Sequence, residues 1–110
     1  MKLLTKANEK KLPPLYSQEN VKDPIAQVKF FCPWNQWTWY AAEYDHETGR
    51  FFGLVHGFET ELGYFMLSEL ASVKGPGIFR SIGIERDMHF DPRPLSECRK
   101  LHERKLGCVS

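Results

Sequence analysis

The sequence lacks a long apolar run and a marked excess of charge of either sign. No stretch reaches the roughly 20 apolar residues of a membrane-spanning helix, and no apolar segment follows the first residues as in a signal peptide. We therefore expect a cytoplasmic protein with no membrane partner. The 15 Lys and Arg side chains nearly balance 14 Asp and Glu side chains, for a net charge of +1. This balance disfavours nucleic acid as a partner, since nucleic-acid-binding domains usually carry a basic excess.

Cysteine is scarce, and the familiar catalytic motifs are missing. The three cysteines, Cys32, Cys98 and Cys108, are widely spaced and odd in number, which fits neither a disulfide framework nor a zinc site. We therefore expect three free thiols. The chain has no Gly-x-Ser-x-Gly nucleophile motif and no phosphate-binding loop that ends in Gly-Lys-Ser or Gly-Lys-Thr. The sequence predicts no cofactor, and a non-enzymatic role is favoured.

Apolar and aromatic residues, by contrast, are plentiful. They make up 42% and 14% of the 110 residues, which is enough to bury one hydrophobic core. We expect a single domain over residues 1–110. Its predicted parts are an N-terminal helix and arm (1–24), a sheet core (25–92) and a basic C-terminal helix (93–110).

Periodicity and turn residues predict the elements of this domain. Alternation of apolar and polar residues predicts five strands: 25–32, 37–44, 51–58, 61–67 and 82–90. Helices are predicted from Lys6 after an N-cap at Thr5, over 67–73, and from Pro94 to a stop at Gly107. The order indicates an α+β fold with a mainly antiparallel sheet of four to five strands. We expect the second and third strands to form a central hairpin, with Gly49 left-handed in its turn.

Strict alternation assigns faces to the central hairpin. Trp37, Trp39 and Glu43 share one face of their strand. Gly53 and Gly57 share a face of the return strand, which predicts that a bulky group lies across it, with the tryptophans as candidates.

The last predicted strand carries the sharpest candidate for chemistry. Glu85, Asp87 and His89 alternate along one face, and two carboxylates with an imidazole suit a divalent metal or acid–base catalysis. An ordinary solvated face is the favoured alternative, because one strand supplies every ligand. Arg86 lies on the opposite, apolar face and needs a carboxylate partner, for which Glu43 is the candidate.

Charge is unevenly distributed along the chain. Residues 43–69 carry six acidic side chains against one basic side chain, and both ends of the chain are basic. One interpretation is an acidic docking face for a basic protein partner; the other is neutralisation within the monomer by Lys10, Lys11, Arg99 or Arg104. The candidate binding residues are aromatic and acidic: Trp34, Trp37, Glu43, Glu47, Glu59 and Glu61. His102 is predicted to be solvent-exposed on the last helix.

Four motifs in one order resemble a known family. They are Leu-Pro-Pro-Leu-Tyr-Ser at 12–17, Trp-Thr-Trp-Tyr at 37–40, Glu-Leu-Gly-Tyr-Phe at 61–65 and Ile-Glu-Arg-Asp at 84–87. The chain is similar, from about Leu3 to Phe90, to small bacterial proteins from plasmids, integrative elements and phages, catalogued only as a domain of unknown function. The resemblance implies a cytosolic accessory protein of mobile genetic elements and supplies no catalytic residue.

These observations leave three hypotheses of different classes. The favoured one is an interaction protein that binds a basic protein partner through its acidic face. A metal-dependent hydrolase would need Glu85, Asp87 and His89 to converge in a pocket. A nucleic-acid-associated regulator would need the two basic ends side by side.

Overall fold

The computed structural model describes residues 2–109, with side chains described as far as Glu103. Within residues 2–109, three helices and seven strands follow one another. In chain order they are α1 (Lys6–Lys11), β1 (Ile25–Ala26), β2 (Val28–Phe31), β3 (Thr38–Asp45), β4 (Arg50–His56), β5 (Thr60–Met66), α2 (Leu67–Ser72), a 3-10 turn (Gly77–Phe79), β6 (Glu85–Arg86), β7 (Arg93–Pro94) and α3 (Leu95–Val109).

The main sheet has five antiparallel strands in the order β5-β4-β3-β2-β6, and β1 pairs with β7 in a separate two-stranded sheet. The predicted α+β class with a mainly antiparallel sheet is confirmed. The predicted central hairpin is β3–β4, which occupies the middle of the sheet. Gly49 adopts φ 78° in its turn, as a bulged hairpin turn requires.

The first helix begins and ends where its sequence indicates. The Thr5 hydroxyl accepts a bond from the Asn8 N–H at 3.2 Å, and the Asn8 side chain accepts from the Thr5 N–H at 3.0 Å. This capping box satisfies two N–H groups that the first turn leaves unpaired. Pro13 and Pro14 follow the last turn and prevent its continuation. Leu4 and Leu12, on either side of the helix, are buried in the core.

A β-bulge in β3 changes the faces that strict alternation predicts. Ala41 pairs with Gly53, but the next paired residue is Glu43, opposite Phe52. The extra residue, Ala42, reverses the alternation from that point on. The prediction that Glu43 shares a face with Trp37 and Trp39 is therefore wrong.

The two faces of the sheet carry separate cores. The tryptophan face, named for Trp37 and Trp39, includes Phe30 and Phe51 and packs against the segments around α1 and α2. The helix face is covered by α3 and includes Tyr40, Ala42, Leu54, Leu95 and Cys98. Glu43 lies on this second face because of the bulge.

Three predicted elements differ from the structure. The strand predicted over 25–32 is divided at Gln27, so that β1 pairs with β7 while β2 pairs with β3 and β6. The strand predicted over 82–90 is reduced to β6. Helix α3 continues through Gly107 to Val109. Among the described residues, no helix has both the length and the apolar composition needed to cross a bilayer.

Candidate functional site: an acidic-aromatic patch

The most exposed aromatic side chain lies where β4 turns into β5. The turn is closed by the Gly57 N–H, which donates to the Glu59 carbonyl at 3.0 Å. Phe58 at its tip is 93% exposed. Because burying a Phe side chain releases roughly 1.5–3 kcal/mol, an aromatic ring left this open marks a candidate contact surface.

Trp37, the residue just before β3, supports this turn. Its ring meets Phe58 edge to face at a centroid distance of 5.3 Å and lies 5.9 Å from the Trp39 ring. A Cβ atom added at Gly57 would run into the Trp37 ring, so the predicted bulky neighbour of this glycine is confirmed as a tryptophan. At Gly53 the neighbour is instead the Tyr40 backbone carbonyl beside the bulge.

Two exposed carboxylates complete the arrangement. Glu59 and Glu61 border a recess of about 230 Å³ that Trp37 and Phe58 also line. Within the described part of the chain, neither carboxylate forms an ion pair, since Lys29–Asp87 at 3.7 Å is the only pair there. We call Trp37, Phe58, Glu59 and Glu61 the acidic-aromatic patch. Aromatic faces and carboxylates together suit the cationic side chains of Lys and Arg.

Glu43 has a different environment from the other predicted acidic residues. It is buried, with 3% of its surface exposed. One carboxylate oxygen accepts the Tyr16 N–H at 2.8 Å and the other accepts the Gln18 N–H at 2.7 Å. Glu43 thus fastens the arm that follows α1, in which Tyr16 adopts φ 69°. It contributes nothing to an acidic surface.

The remaining predicted binding residues lie away from the patch. Glu47 is exposed in the β3–β4 turn, at the opposite end of the hairpin and about 20 Å away by strand length. Trp34 is half-buried and stacks on Phe79 at 6.4 Å. Of the six predicted binding residues, the structure therefore brings together only Trp37, Glu59 and Glu61.

The basic side chains that could neutralise the acidic residues within the monomer do not do so in the part of the chain that the structure describes. The Arg99 guanidinium donates to the Thr60 carbonyl at 2.9 Å. Lys10 borders the same cleft as Glu47, and neither Lys10 nor Lys11 forms an ion pair with any described residue. The Arg104 side chain lies outside the described residues, as does that of Cys108. Cys32 and Cys98 are free thiols, as predicted.

Glu85, Asp87 and His89 do not form the continuous strand face that was predicted. The strand ends at Arg86, and the chain then turns, with the Asp87 side chain accepting the His89 N–H at 2.9 Å. Asp87 also pairs with Lys29. No group of three or more His, Cys, Asp and Glu residues that could hold a metal ion is found over the described residues.

The predicted ion pair between Arg86 and Glu43 is wrong. Arg86 donates to the carbonyls of Lys2 and Leu3 at 2.7 and 2.9 Å. These lie on the tryptophan face, as does Arg86 through its pairing with Phe30. The bulge has turned Glu43 to the opposite face, so the two side chains are separated by the sheet.

An aromatic and imidazole cluster on the helix face was not predicted. His102 Nε2 lies 2.8 Å from the Tyr40 hydroxyl, and the rings of His102 and His56 stack at 3.7 Å. The expectation of an exposed His102 is therefore wrong. The signal was present in the spacing, because Leu95, Cys98 and His102 are three and four residues apart and share one side of a helix.

Burial suppresses ionisation in this same region. It raises the pKa of the Cys98 thiol to about 11, and it raises the pKa of the Tyr40 hydroxyl well above its usual value. Both groups are therefore neutral at physiological pH and act as packing and hydrogen-bonding groups.

The basic ends lie on opposite faces of the sheet. Leu4 and Leu12 fix the α1 region to the tryptophan face, whereas Leu95 and Cys98 fix α3 to the helix face. The side-by-side arrangement required of the nucleic-acid regulator is not present in the described residues.

Comparison with known proteins assigns the family. Neither a curated protein nor a solved structure matches the chain. The family match covers residues 1–108, so it includes the basic tail after Pro94, beyond the span that the four motifs indicate. The chain belongs to the family described as "Protein of unknown function (DUF2958)".

Proposed function

We propose that the chain is an interaction protein whose acidic-aromatic patch binds a Lys- and Arg-rich segment of a partner protein. The observation that carries this proposal is the 93% exposure of Phe58 beside two carboxylates without an ion-pair partner in the described residues. In this arrangement Phe58 and Trp37 receive the cation and its aliphatic stem, while Glu59 and Glu61 supply the opposite charge.

The chemistry sets the expected strength of such a complex. A cation over an exposed aromatic ring contributes about 0.5–1 kcal/mol. Exposed carboxylate–cation attractions contribute amounts of the same order and are screened beyond about 8–10 Å in physiological salt. We therefore expect moderate affinity that falls as salt is added.

The proposed setting rests on the family resemblance of the four motifs. It is the cytosol of bacteria that carry plasmids, integrative elements or phages, where the chain acts as an accessory protein of the mobile element. The partner in this proposal is a basic protein surface encoded by the element or by the host.

A peptide titration tests the proposal directly. The probe is a fluorescent 12-residue peptide of alternating Lys and Ser, compared with its Glu and Ser counterpart by fluorescence anisotropy. We expect the basic peptide to bind, and its affinity to fall at least fivefold in a Glu59→Gln/Glu61→Gln variant and in a Phe58→Ser variant. Equal binding of both peptides, or unchanged affinity in these variants, would contradict the proposal.

A charge-matched variant separates the patch from general acidity. Glu47→Gln/Glu97→Gln removes two exposed carboxylates outside the patch and should retain wild-type affinity. If it loses affinity as strongly as the patch variant does, only the overall charge matters and the patch has no role.

A further inference from the structure

Strand β5 is an edge strand, and its hydrogen-bonding phase follows from the turn bonds at its two ends. The Gly57 N–H bonds the Glu59 carbonyl and the Leu67 N–H bonds the Gly49 carbonyl. Along a strand of an antiparallel sheet, the backbone N–H and C=O groups of successive residues alternate between two directions. Those of one residue bond to the neighbouring strand, and those of the next point away from it. Residues 61, 63 and 65 therefore bond to β4. The N–H and C=O groups of residues 60, 62, 64 and 66 point outward from the sheet.

Side chains of the same chain occupy the two ends of this outer edge. The Arg99 guanidinium donates to the outward carbonyl of Thr60 at 2.9 Å. The Glu69 carboxylate accepts the outward N–H of Met66 at 3.1 Å. Over the described residues, the outward groups of Leu62 and Tyr64 have no such partner.

This open stretch is also apolar. Leu62 and Tyr64 are each 53% exposed, and Tyr16, 52% exposed, lies beside Tyr64 with ring centroids 6.2 Å apart. Soluble proteins usually protect edge strands with charged side chains, above all Lys, with Pro or with a bulge. The sequence of β5, Thr-Glu-Leu-Gly-Tyr-Phe-Met, contains neither Lys nor Pro, and its pairing with β4 shows no register shift. Its one charged side chain, Glu61, lies on the tryptophan face, opposite to the face of Leu62 and Tyr64.

We propose that β5 pairs with β5 of a second copy of this chain, antiparallel, about a two-fold axis at Gly63. In this register Leu62 lies opposite Tyr64 of the partner subunit, and Tyr64 opposite Leu62 of the partner subunit. Both are outward-pointing residues, so the pairing forms four backbone hydrogen bonds. Each side of the axis also gains an aliphatic–aromatic pair across the strands. The result is a continuous ten-stranded sheet.

Charge complementarity at the ends of the strand favours a second copy over an unrelated peptide. The same register places Thr60 opposite Met66 of the partner subunit. The Arg99 guanidinium held at Thr60 then approaches Glu69 of the partner subunit, which is held at Met66. The two-fold axis produces this match twice. The two groups that end the open stretch thus carry opposite charges, and they meet only when the strand pairs with itself.

Sedimentation velocity of the whole chain tests the assembly. We expect a species of about twice the 12.8 kDa chain mass at micromolar concentrations. Leu62→Pro removes one outward N–H without touching a bond to β4, so circular dichroism should remain native while the dimer is lost. A monomer at all concentrations up to several hundred micromolar would overturn the proposal, as would a dimer that Leu62→Pro leaves intact.

Charge exchange between the two ends of the strand tests the register. Glu69→Arg alone places two cations opposite each other, and Arg99→Glu alone places two anions opposite each other, so each variant should be mainly monomeric. Mixed in equal amounts, the two variants restore both opposite-charge contacts and should form a heterodimer visible by native mass spectrometry. Failure of the mixture to associate, with each variant folded, would overturn this register.

A cysteine at the axis gives a direct geometric readout. Gly63 faces open space, with nothing within 4 Å of an added Cβ atom. Opposed residues of this non-hydrogen-bonded type lie about 4.5 Å apart at Cα, within disulfide range. In a Cys108→Ser background, Gly63→Cys should cross-link under oxygen with copper phenanthroline, and Ser72→Cys should not.

An extended peptide that binds the edge of a monomeric chain would overturn the proposal in favour of another protein as the occupant.

Discussion

At the scale of single residues, Glu43 shows how one buried charge organises a chain segment. Its two oxygens each accept one backbone N–H of the arm, at 2.8 and 2.7 Å. Hydrogen bonds to a charged acceptor contribute more than neutral ones, about 1.5–3 kcal/mol. Both N–H groups belong to the arm, so its placement over the sheet depends on this carboxylate.

Glu43→Gln should lower the free energy of unfolding by about 1–3 kcal/mol, because the new amide group turns a donor toward one of the two N–H groups. Urea denaturation measures the loss. Hydrogen exchange should show faster exchange at Tyr16 and Gln18. Glu47→Gln, on an exposed turn, is the control and should change stability by less than about 0.5 kcal/mol. Equal losses in the two variants would contradict the role assigned to Glu43.

The sequence predicted some residue environments well and others poorly, and the reason differs in each case. Gly57 next to a tryptophan was predictable, because a glycine in a strand opposite large rings indicates close packing. Phe58 was missed as a site residue, since nothing in the local pattern distinguishes an apolar residue at a turn tip from one in the core. The pattern within one strand also does not predict which acidic side chains lie together at one end of a hairpin.

At the scale of elements, strand periodicity located the central strands and failed where the backbone departs from regular pairing. The β3–β4 hairpin follows its alternation and its Gly49 turn. The bulge at Ala42 leaves no clear mark in the sequence, yet it moves Glu43 to the other face and removes Arg86 from its predicted partner. Residues 87–90 continue the alternating pattern, but Asp87 turns the chain by accepting the His89 N–H, as Asp often does in turns.

Packing of α3 against the sheet should stabilise the fold less at alkaline pH. Burial raises the pKa of Cys98 to about 11 from an ordinary 9.0 and raises that of Tyr40 in the same direction. Between about pH 9 and 11 the unfolded chain therefore releases the Cys98 proton while the folded chain keeps it. Stability is fully present below pH 9 and falls as the pH rises through this window.

Urea midpoints measured from pH 7 to pH 11 check this expectation. The midpoint should fall more steeply above pH 9 in the wild type than in Cys98→Ala, because alanine has no proton to lose. The comparison uses the slope against pH, so the constant cost of the smaller side chain does not enter. Parallel slopes in the two proteins would contradict the link between burial of this thiol and alkaline unfolding.

At the scale of the whole molecule, the two faces of the sheet have different partners. The tryptophan face carries the acidic-aromatic patch, and the helix face is covered by α3. In the proposed β5–β5 pairing, opposed side chains such as Leu62 and Tyr64 of the partner subunit project to the same side of the sheet. The tryptophan faces of both copies therefore lie on one side of the ten-stranded sheet. A dimer therefore presents two patches on one surface. By strand geometry their Glu61 Cα atoms lie roughly 14 Å apart.

Two basic segments on one flexible chain should therefore bind the dimer more tightly than one segment does. This expectation rests on both proposals, and the monomeric Leu62→Pro variant separates them. With a Gly/Ser linker of about eight residues, whose mean span is roughly 16 Å, the second contact becomes intramolecular. We expect at least a tenfold gain in affinity for the wild type, measured by anisotropy, and at most a twofold statistical gain for Leu62→Pro. Single-segment binding that persists with no bivalent gain would leave the patch in place and remove the dimer geometry. Single-segment binding that is unchanged in Phe58→Ser, with the bivalent gain intact, would instead place the contact outside the patch.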